Sequence, residues 1–362
     1  MTDGVAMAER SEQSAAWRSG AGGDELLIVR NLRTHFFTRD GAVPAVDDIS
    51  FSIARGEVLG IVGESGSGKS VTARSIMRLV PLPGRIVSGE VWFKGQNLVD
   101  LTESEMQHIR GAQIGMVLQE PMTSLNPVLT IGDQVGELYR HHPDRAPRGR
   151  SIRQAVLDIL ARVRIPDAAR RVAEYPLHFS GGMRQRVSIA MATACRPDLV
   201  IADEPTTALD VTIQAQVLEL LLELRDEFGV SVLFITHDLG VVAKICDSVA
   251  VMYAGRIVEY ADVESIFERP RHPYTRALLR SLPQLGKRLP RLPSIEGQPP
   301  DLGALPRGCA FAPRCPSAID RCREAEPEPT AIGAAYVRCF VAADELLQAG
   351  LRTTPRGDGH AS

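Results

Sequence analysis

Residues 58–70 read VLGIVGESGSGKS, an apolar run followed by a loop of glycine and serine and then by lysine and serine. The apolar run predicts a buried β-strand, and the residues from position 70 to about 79 have the apolar spacing of a helix. A strand, a glycine-rich loop and a helix in this order form a unit typical of α/β domains with a parallel sheet. This stretch therefore indicates an α/β fold.

The loop matches the pattern G-x-x-x-x-G-K-[ST] completely. Its glycines allow backbone N–H groups to turn toward phosphate oxygens, and the following helix presents its N-terminus to the same charge. Lys69 is expected to reach the β- and γ-phosphates, and Ser70 to bind Mg²⁺. A chance glycine-rich turn is the alternative, but the flanking strand and helix argue against it. The nucleotide contacts predicted here are Gly63, Glu64, Ser65, Gly66, Ser67, Gly68, Lys69 and Ser70.

A second acidic motif follows another apolar run, where residues 199–204 read LVIADE. An acid at the carboxyl end of a strand in the same sheet as the phosphate loop can hold the magnesium shell, which is the role predicted for Asp203. The next carboxylate, Glu204, is placed to polarise a water that attacks the γ-phosphate. Taken by itself, the motif would describe a strand ending in two solvated acids.

A third motif lies before a predicted helix, where residues 179–186 read FSGGMRQR. Its small residues and the helix N-terminus offer N–H groups and partial positive charge to an anion. An ordinary helix start capped by Ser180 explains the same letters equally well.

In this order, the three motifs resemble the ATP-binding subunits of ABC transporters, over about residues 26–260 and beyond. The resemblance implies a P-loop NTPase core of the ABC type (RecA-like) with a mostly helical subdomain. It also implies a head-to-tail pair of such domains, in which the phosphate loop of one and the loop of Ser180, Gly181 and Gly182 of the other enclose each ATP. Family members usually have glutamine where this chain has Met183.

The same resemblance implies roles for residues outside the three motifs. Gln119, after a predicted strand at 114–118, would contact Mg²⁺ and the attacking water, and Asp210 of the segment 208–210 would cross the dimer interface. His237 would lie beside the γ-phosphate. Phe36 would stack on adenine, with Phe37 or His35 as alternatives. The implied catalytic set is therefore Glu204, His237 and Gln119.

Changes in composition divide the chain into segments. Residues 1–24 are predicted to be a disordered leader without the apolar core of a secretory signal, and residues 349–362 a disordered tail. The ATPase domain is predicted at 25–260, with its helical subdomain at about 119–191. A small extension rich in proline and cysteine is predicted at 261–348. The chain contains one phosphate loop and no internal repeat.

The charge and hydropathy of the chain limit its partners. The formal net charge is −3, so no global field attracts nucleic acid, and no nucleic-acid partner is expected. No apolar stretch reaches the roughly 18–20 residues that cross a bilayer. We therefore expect the chain to lie on the cytoplasmic face of the cell membrane, held there by other subunits.

Two stretches of the extension indicate a branch of the family. Residues 269–278 (RPRHPYTRAL) and 308–316 (GCAFAPRCP) resemble segments of oligopeptide and dipeptide permease ATPases. The expected function is ATP hydrolysis that powers import of such peptides. The alternatives are import of nickel or metal chelates, the motor of an exporter, a soluble ABC ATPase acting on DNA or the ribosome, and a non-catalytic binding module. Intact Glu204 and His237 conflict with the last of these.

The resemblance also implies partners. A second ABC ATPase subunit is required, and a related but different chain is expected rather than a copy. Two membrane permease subunits would receive the motion, and an extracytoplasmic solute-binding protein would act indirectly. ATP and Mg²⁺ are the expected substrate and cofactor.

Four cysteines in the extension are separated by five, six and sixteen residues. Structural zinc sites favour a closer pair, whereas a [4Fe–4S] cluster also takes four thiolates, and members of the peptide branch with this pattern are expected to carry one. Zinc or free thiols are the alternatives. The ligands predicted for the cluster are Cys309, Cys315, Cys322 and Cys339.

Overall fold

The structure is a computed structural model that describes residues 24–119, 124–207, 209–282 and 295–350. Except for residues 24, 349 and 350, the predicted leader and tail lie outside these ranges. The strands are β1 (Glu25–Thr38), β2 (Gly41–Ala54), β3 (Val58–Val62), β4 (Gly84–Phe93), β5 (Gln96–Asn97), β6 (Ile114–Val117), β7 (Leu199–Asp203), β8 (Ser231–Thr236), β9 (Ser248–Tyr253), β10 (Arg256–Asp262), β11 (Thr330–Ile332) and β12 (Ala335–Val337).

Helices cover the sheets and form most of the region between β6 and β7. The α-helices are α1 (Lys69–Ile76), α2 (Glu103–Ile109), α3 (Ile131–His141), α4 (Ile152–Arg162), α5 (Ala168–Arg171), α6 (Gly181–Thr193), α7 (Val211–Phe228), α8 (Leu239–Ile245), α9 (Val263–Glu268), α10 (Pro273–Arg280), α11 (Asp320–Glu324) and α12 (Phe340–Gln348). Short 3₁₀ turns occupy Leu98–Asp100, Pro143–Arg145, Pro176–His178, Leu302–Ala304 and Ala312–Arg314.

The larger sheet has the strand order β11-β12-β10-β9-β3-β8-β7-β6. Strands β9, β3, β8, β7 and β6 pair in parallel, whereas β10, β12 and β11 continue the sheet in antiparallel pairing. Each of β3, β7, β8 and β9 is buried along its whole length. Their near-continuous apolar runs are what a parallel sheet covered on both faces requires. The α/β fold class predicted from the phosphate-loop stretch is confirmed.

The helices and strands predicted around the site agree closely with those observed. The helix predicted at 70–79 is α1, those at 151–163 and 183–194 are α4 and α6, and that at 213–226 is α7. The predicted hairpin at 249–253 and 256–260 is β9 and β10. Among the described residues of the predicted helical subdomain, there is no strand.

The smaller sheet has the order β2-β1-β4-β5. The turn predicted at Arg39, Asp40 and Gly41 joins β1 to β2, because Thr38 pairs with Gly41. Strand β4, which the sequence did not indicate, pairs with β1 over most of its length. The apolar faces of this sheet and of α1 share a core with β3, so the sheet packs directly behind the phosphate loop.

The extension continues the larger sheet. Strand β12 pairs with β10, which itself runs across residue 260, the predicted boundary of the ATPase domain. The Tyr336 hydroxyl donates to the Ser50 carbonyl oxygen (3.0 Å), and the buried Arg338 guanidinium forms a 2.8 Å ion pair with Asp48. The extension therefore packs against the ATPase domain and is joined to it by strand pairing, a hydrogen bond and an ion pair.

None of the helices in the described part of the chain is both long and apolar enough to pass through a membrane.

Candidate nucleotide site

The phosphate loop connects β3 to α1, and two of its glycines are required by the backbone around them. A Cβ atom at Gly63 would lie 2.1 Å from the carbonyl oxygen of Met252, and one at Gly68 would lie 2.2 Å from that of Ala45. Gly68 also has a φ of 103°, a left-handed conformation that favours glycine. The two approaches clamp both ends of the loop, while Ser65 and Gly66 at its tip are exposed.

Lys69 is the first residue of α1 and lies almost completely buried inside the loop. Its Nζ donates to the carbonyl oxygens of Gly63 and Glu64, at 2.9 Å each. Burial lowers the pKa of Lys69, and the neighbouring carboxylates, chiefly Glu204 and Asp203, oppose that shift. The ammonium therefore lies within the curve of the loop, where phosphate oxygens would bind.

The described groups fit a magnesium–nucleotide complex at one edge of the loop. The Ser70 hydroxyl donates to Asp203 Oδ1 at 2.9 Å, which joins two of the three predicted magnesium ligands. Asp203 ends the buried strand β7, and burial raises its pKa. Ser67 Oγ is buried and has no hydrogen-bond partner among the described residues, so it can serve a phosphate oxygen.

Glu204 is the centre of a second group of contacts. Its Oε2 accepts hydrogen bonds from Gln119 Nε2 (3.1 Å) and Thr207 Oγ1 (2.9 Å), and His237 Nδ1 lies 3.5 Å from its Oε1. Burial raises the pKa of Glu204, but the hydrogen bond from Thr207 and the charge of His237 outweigh it, so the pKa lies below its usual value. The structure therefore brings together the three predicted catalytic residues, with the carboxylate ionised.

The backbone at Glu204 is strained. Its φ is 46°, in the left-handed region, and its N–H donates to the Ile235 carbonyl oxygen (2.9 Å) of the neighbouring strand β8. A non-glycine residue there costs of order 1–3 kcal/mol, and such strain clusters at functional sites. This left-handed conformation turns the chain at the end of β7, and in it the Glu204 carboxylate accepts the hydrogen bond from Gln119.

The loop of residues 180–182 starts α6 at the protein surface. The Ser180 hydroxyl accepts a hydrogen bond from the N–H of Met183 (3.3 Å), so Ser180 is the N-cap of the helix. No hydrogen bond or ion pair joins Ser180, Gly181 or Gly182 to residues 63–70 within the described ranges. The structure thus does not place this loop against the phosphate loop of the same chain.

Asp210 is the N-cap of α7, where its Oδ1 accepts from the N–H of Ile213 (2.9 Å). A Cβ atom at Gly182 would lie 2.7 Å from Ile213, so the start of α7 packs beside the loop of residues 180–182. Ala208, the first residue of the predicted interface segment, lies outside the described residues.

The aromatic residues predicted to stack on adenine lie near the end of β1. The Phe36 ring is half-buried against Gly84, whose Cβ position is 2.7 Å from Phe36 Cε1. Phe37 is more exposed, with the Arg85 guanidinium 4.2 Å from its ring centroid. His35 is half-buried, and its Nε2 has no hydrogen-bond partner among the described residues.

Two residues of the extension contact the phosphate loop, and the sequence did not reveal either contact. The N–H of Glu64 donates to the Tyr274 hydroxyl (2.9 Å), and the Arg314 guanidinium binds the Glu64 carboxylate at 2.6 and 3.0 Å. Tyr274 belongs to the stretch 269–278, and Arg314 belongs to the stretch 308–316. In the sequence, these stretches indicate only a branch of the family, because no local pattern places them against a loop more than 200 positions away.

The four cysteines of the extension line one small cavity together with Phe311 and His272. All four are free thiols, and burial raises the pKa of Cys309 to about 11. Within the described ranges, no three His, Cys, Asp or Glu side chains are arranged to hold a metal ion. The cysteines therefore converge as the spacing suggested, but their described geometry does not form a metal site, and the predicted iron–sulfur cluster is not supported.

Comparison with protein families gives two matches. The family described as "ABC transporter" matches residues 46–207, and the family described as "Oligopeptide/dipeptide transporter, C-terminal region" matches residues 258–322. The first contains the phosphate loop, Gln119 and the end of β7. The second contains Tyr274, Arg314 and three of the four cysteines.

Curated proteins of similar length align with most of the chain. A probable peptide ABC transporter ATP-binding protein of Sinorhizobium fredii is 55% identical over 84% of this chain and 91% of its own length. A dipeptide transport ATP-binding protein of Bacillus subtilis is 50% identical over 85% and 91%. An oligopeptide transport ATP-binding protein of Escherichia coli is 48% identical over 90% and 95%.

Solved structures share the fold. A dimeric ATP-binding cassette in a post-hydrolysis state, bound to ADP and Pi, superposes with a TM-score of 0.59 and 29% identity, covering 66% of this chain and 98% of its own. A component of an ABC transporter complex from Clostridium perfringens superposes with a TM-score of 0.57 and 28% identity, covering 68% and 93%.

Proposed function

The chain belongs to the ATP-binding subunits of ABC transporters, and we propose from this that it hydrolyses ATP to power an importer of oligopeptides or dipeptides. The observation that carries the ATPase activity is the grouping of Glu204, Gln119 and His237 beside the Ser70–Asp203 hydrogen bond. Import of peptides is supported by the match to the transporter C-terminal region and by the names of the similar proteins.

Each part of the site has a distinct task in this proposal. The loop 63–70 binds the phosphates, and Ser70, Asp203 and Gln119 would hold Mg²⁺, which neutralises phosphate charge. Glu204 takes a proton from the attacking water: its lowered pKa keeps the carboxylate ionised, and the hydrogen bond from Gln119 orients it. His237 then contacts the γ-phosphate from its position beside Glu204.

The site needs a second domain. Within the described ranges, the loop of residues 180–182 forms no hydrogen bond or ion pair with the phosphate loop of its own chain, and Ser180 and Gly181 are exposed. A head-to-tail partner would bring its own such loop to the ATP, as the post-hydrolysis relative is dimeric. We propose that the partner is a related ATPase and that the pair works on the cytoplasmic face of the membrane against two permease subunits. An extracytoplasmic binding protein would supply them with substrate.

The function is tested by transport in liposomes. The chain is reconstituted with its permease and ATPase partner subunits and its solute-binding protein, and uptake of labelled di- and oligopeptides is measured with ATP inside or outside. ATP-dependent peptide uptake that nickel chelates do not compete for is the expected result. Uptake of a nickel chelate instead would favour the metal importer, and ATP hydrolysis without any uptake would contradict an importer of either kind.

We also propose that the four cysteines of the extension bind a [4Fe–4S] cluster: all four line one cavity, and cluster assembly would draw together thiols that are not arranged around a metal in the described geometry. The chain is purified without oxygen, and its iron, sulfide, zinc and visible spectrum are measured. About four irons and four sulfides per chain are expected, since such a cluster takes four thiolates. Cys322→Ser removes one proposed ligand and should lower the iron content. Cys195→Ser removes a buried cysteine elsewhere in the chain and serves as the control. Zinc or no metal in the wild-type chain would exclude the cluster.

A further inference from the structure

Arg314 crosses from the extension to the phosphate loop and is buried there, with 4% of its side chain exposed. Its guanidinium forms a two-bonded ion pair with Glu64, at 2.6 and 3.0 Å. The other donors are also satisfied: Nε donates to the Glu296 carbonyl oxygen (3.0 Å), and Nη1 lies 3.3 Å from the Tyr253 hydroxyl. The planar guanidinium is thus held in one orientation, the arrangement in which a pair with a carboxylate is strongest.

Glu64 is the second residue of the phosphate loop, and it is held by three different groups. Its carboxylate binds Arg314, its N–H donates to the Tyr274 hydroxyl, and its carbonyl oxygen accepts from Lys69 Nζ. Tyr274 is fully buried and packs against Phe311, three residues from Arg314. Movement of Arg314 or Tyr274 would therefore displace Glu64, the residue whose carbonyl oxygen accepts from Lys69.

The pair also has an electrostatic consequence. Glu64 places a negative charge inside a loop that must receive the negative phosphates of ATP, close enough to act on Lys69. The ion pair compensates that charge, and the hydrogen bonds that Arg314 donates to Glu64 raise the pKa of Arg314 above its usual value. If Arg314 were absent, a carboxylate that is only partly exposed would remain in the phosphate loop without its ion pair.

We propose that Arg314 is a positioning residue for ATP: from the C-terminal extension it fixes the phosphate loop through Glu64 and compensates the carboxylate that would otherwise oppose the phosphates. The extension is then part of the nucleotide site of its own chain. The inference rests on the proposed ATPase function and concerns a contact that joins residues 250 positions apart in the sequence.

The test compares ATP binding by the full-length chain in five forms: wild type, Arg314→Met, Glu64→Gln, the double variant and Arg314→Lys. The dissociation constant of a fluorescent ATP analogue with Mg²⁺ is measured by titration, and thermal unfolding by calorimetry. Arg338→Met is the matched control, because Arg338 is another buried arginine of the extension, and its ion pair is with Asp48 rather than with a residue of the loop. In the assembled transporter, KM for ATP and kcat are measured separately.

Arg314→Met is expected to raise the dissociation constant and KM on the order of tenfold, within the range of coupling between sites. The double variant is expected to bind ATP better than Arg314→Met, because removal of both charges leaves none unpaired. Arg314→Lys, which keeps the charge without the planar fork, should lie between. Arg338→Met should lower the unfolding temperature without changing ATP affinity.

Three results would overturn the inference. The first is a folded Arg314→Met or Arg314→Lys chain that binds ATP as tightly as the wild type. The others are a loss of ATP affinity in Arg338→Met equal to that in Arg314→Met, and a double variant that binds ATP worse than either single variant. If Arg314→Met does not fold, Arg314→Lys decides. Failure of the proposed function would be seen separately, as a wild-type chain that binds the analogue but powers no uptake.

Discussion

Glu204→Gln is expected to lower ATP hydrolysis by the assembled transporter on the order of 10²–10⁴-fold, while ATP affinity stays near that of the wild type. Glutamine has nearly the same shape and can still accept the hydrogen bonds from Gln119 and Thr207, so the local structure should survive. It cannot take a proton from water. Single-turnover hydrolysis and the dissociation constant for ATP, measured on the same preparation, separate the two effects.

The matched control is Glu223→Gln on α7, an exposed carboxylate whose ion pair with Arg164 lies on the surface. Its hydrolysis rate should equal that of the wild type, since exposed pairs contribute little. Steady turnover by Glu204→Gln, when it is paired with its correct partner subunits, would exclude Glu204 as the base. A parallel loss of ATP affinity would instead point to damage in the phosphate loop.

The sequence was most informative where local pattern and fold agree. The strands beside the phosphate loop are buried on both faces, so their composition is apolar throughout and their identity can be inferred without knowledge of their neighbours. The residues that follow β3 and β7 are then brought to one edge by the parallel arrangement. This is why Ser70 and Asp203, 133 positions apart, could be predicted to meet.

Other elements are determined by tertiary contacts. Strand β4 contains Gly84 and Gly89 and has mixed burial, and it is specified by its pairing with β1. Strand β12 has only three residues, and it is held in an extended conformation by its pairing with β10. No local sequence pattern predicts either strand, because each is stabilised by pairing with a strand far along the chain.

The same distinction applies to the site. The motif residues were predicted by type and spacing, but the partners that orient them were not: Thr207 on Glu204, and Tyr274 and Arg314 on Glu64. For the cysteines, the sequence predicted the grouping of the residues but not the geometry of the group. Their spacing correctly suggested that they meet, yet only the geometry could show that the described thiols are not arranged around a metal.

Lys69→Met is expected to abolish most of the stabilisation that ATP gives to the chain. The ammonium is nearly fully buried in the phosphate loop, so its loss removes a charge-assisted contact with phosphate that no other described lysine of the loop can replace. We expect the dissociation constant for ATP to rise about 100-fold, in line with a contact of roughly 3 kcal/mol between charged groups. The folded chain without ATP should change little, because methionine fills a similar volume and burial already disfavours the charged form of Lys69.

Thermal unfolding with and without Mg²⁺ and ATP measures this effect. At an ATP concentration 100 times the wild-type dissociation constant, binding stabilises the wild-type chain by about 2.7 kcal/mol. With a dissociation constant 100 times higher, the same relation leaves about 0.4 kcal/mol for the variant. Lys94→Met removes a partly exposed lysine that pairs with Asp198 outside the loop, and it should keep the full shift. A Lys69→Met chain that ATP stabilises as strongly as the wild type would show that the Lys69 ammonium does not contact the bound phosphates.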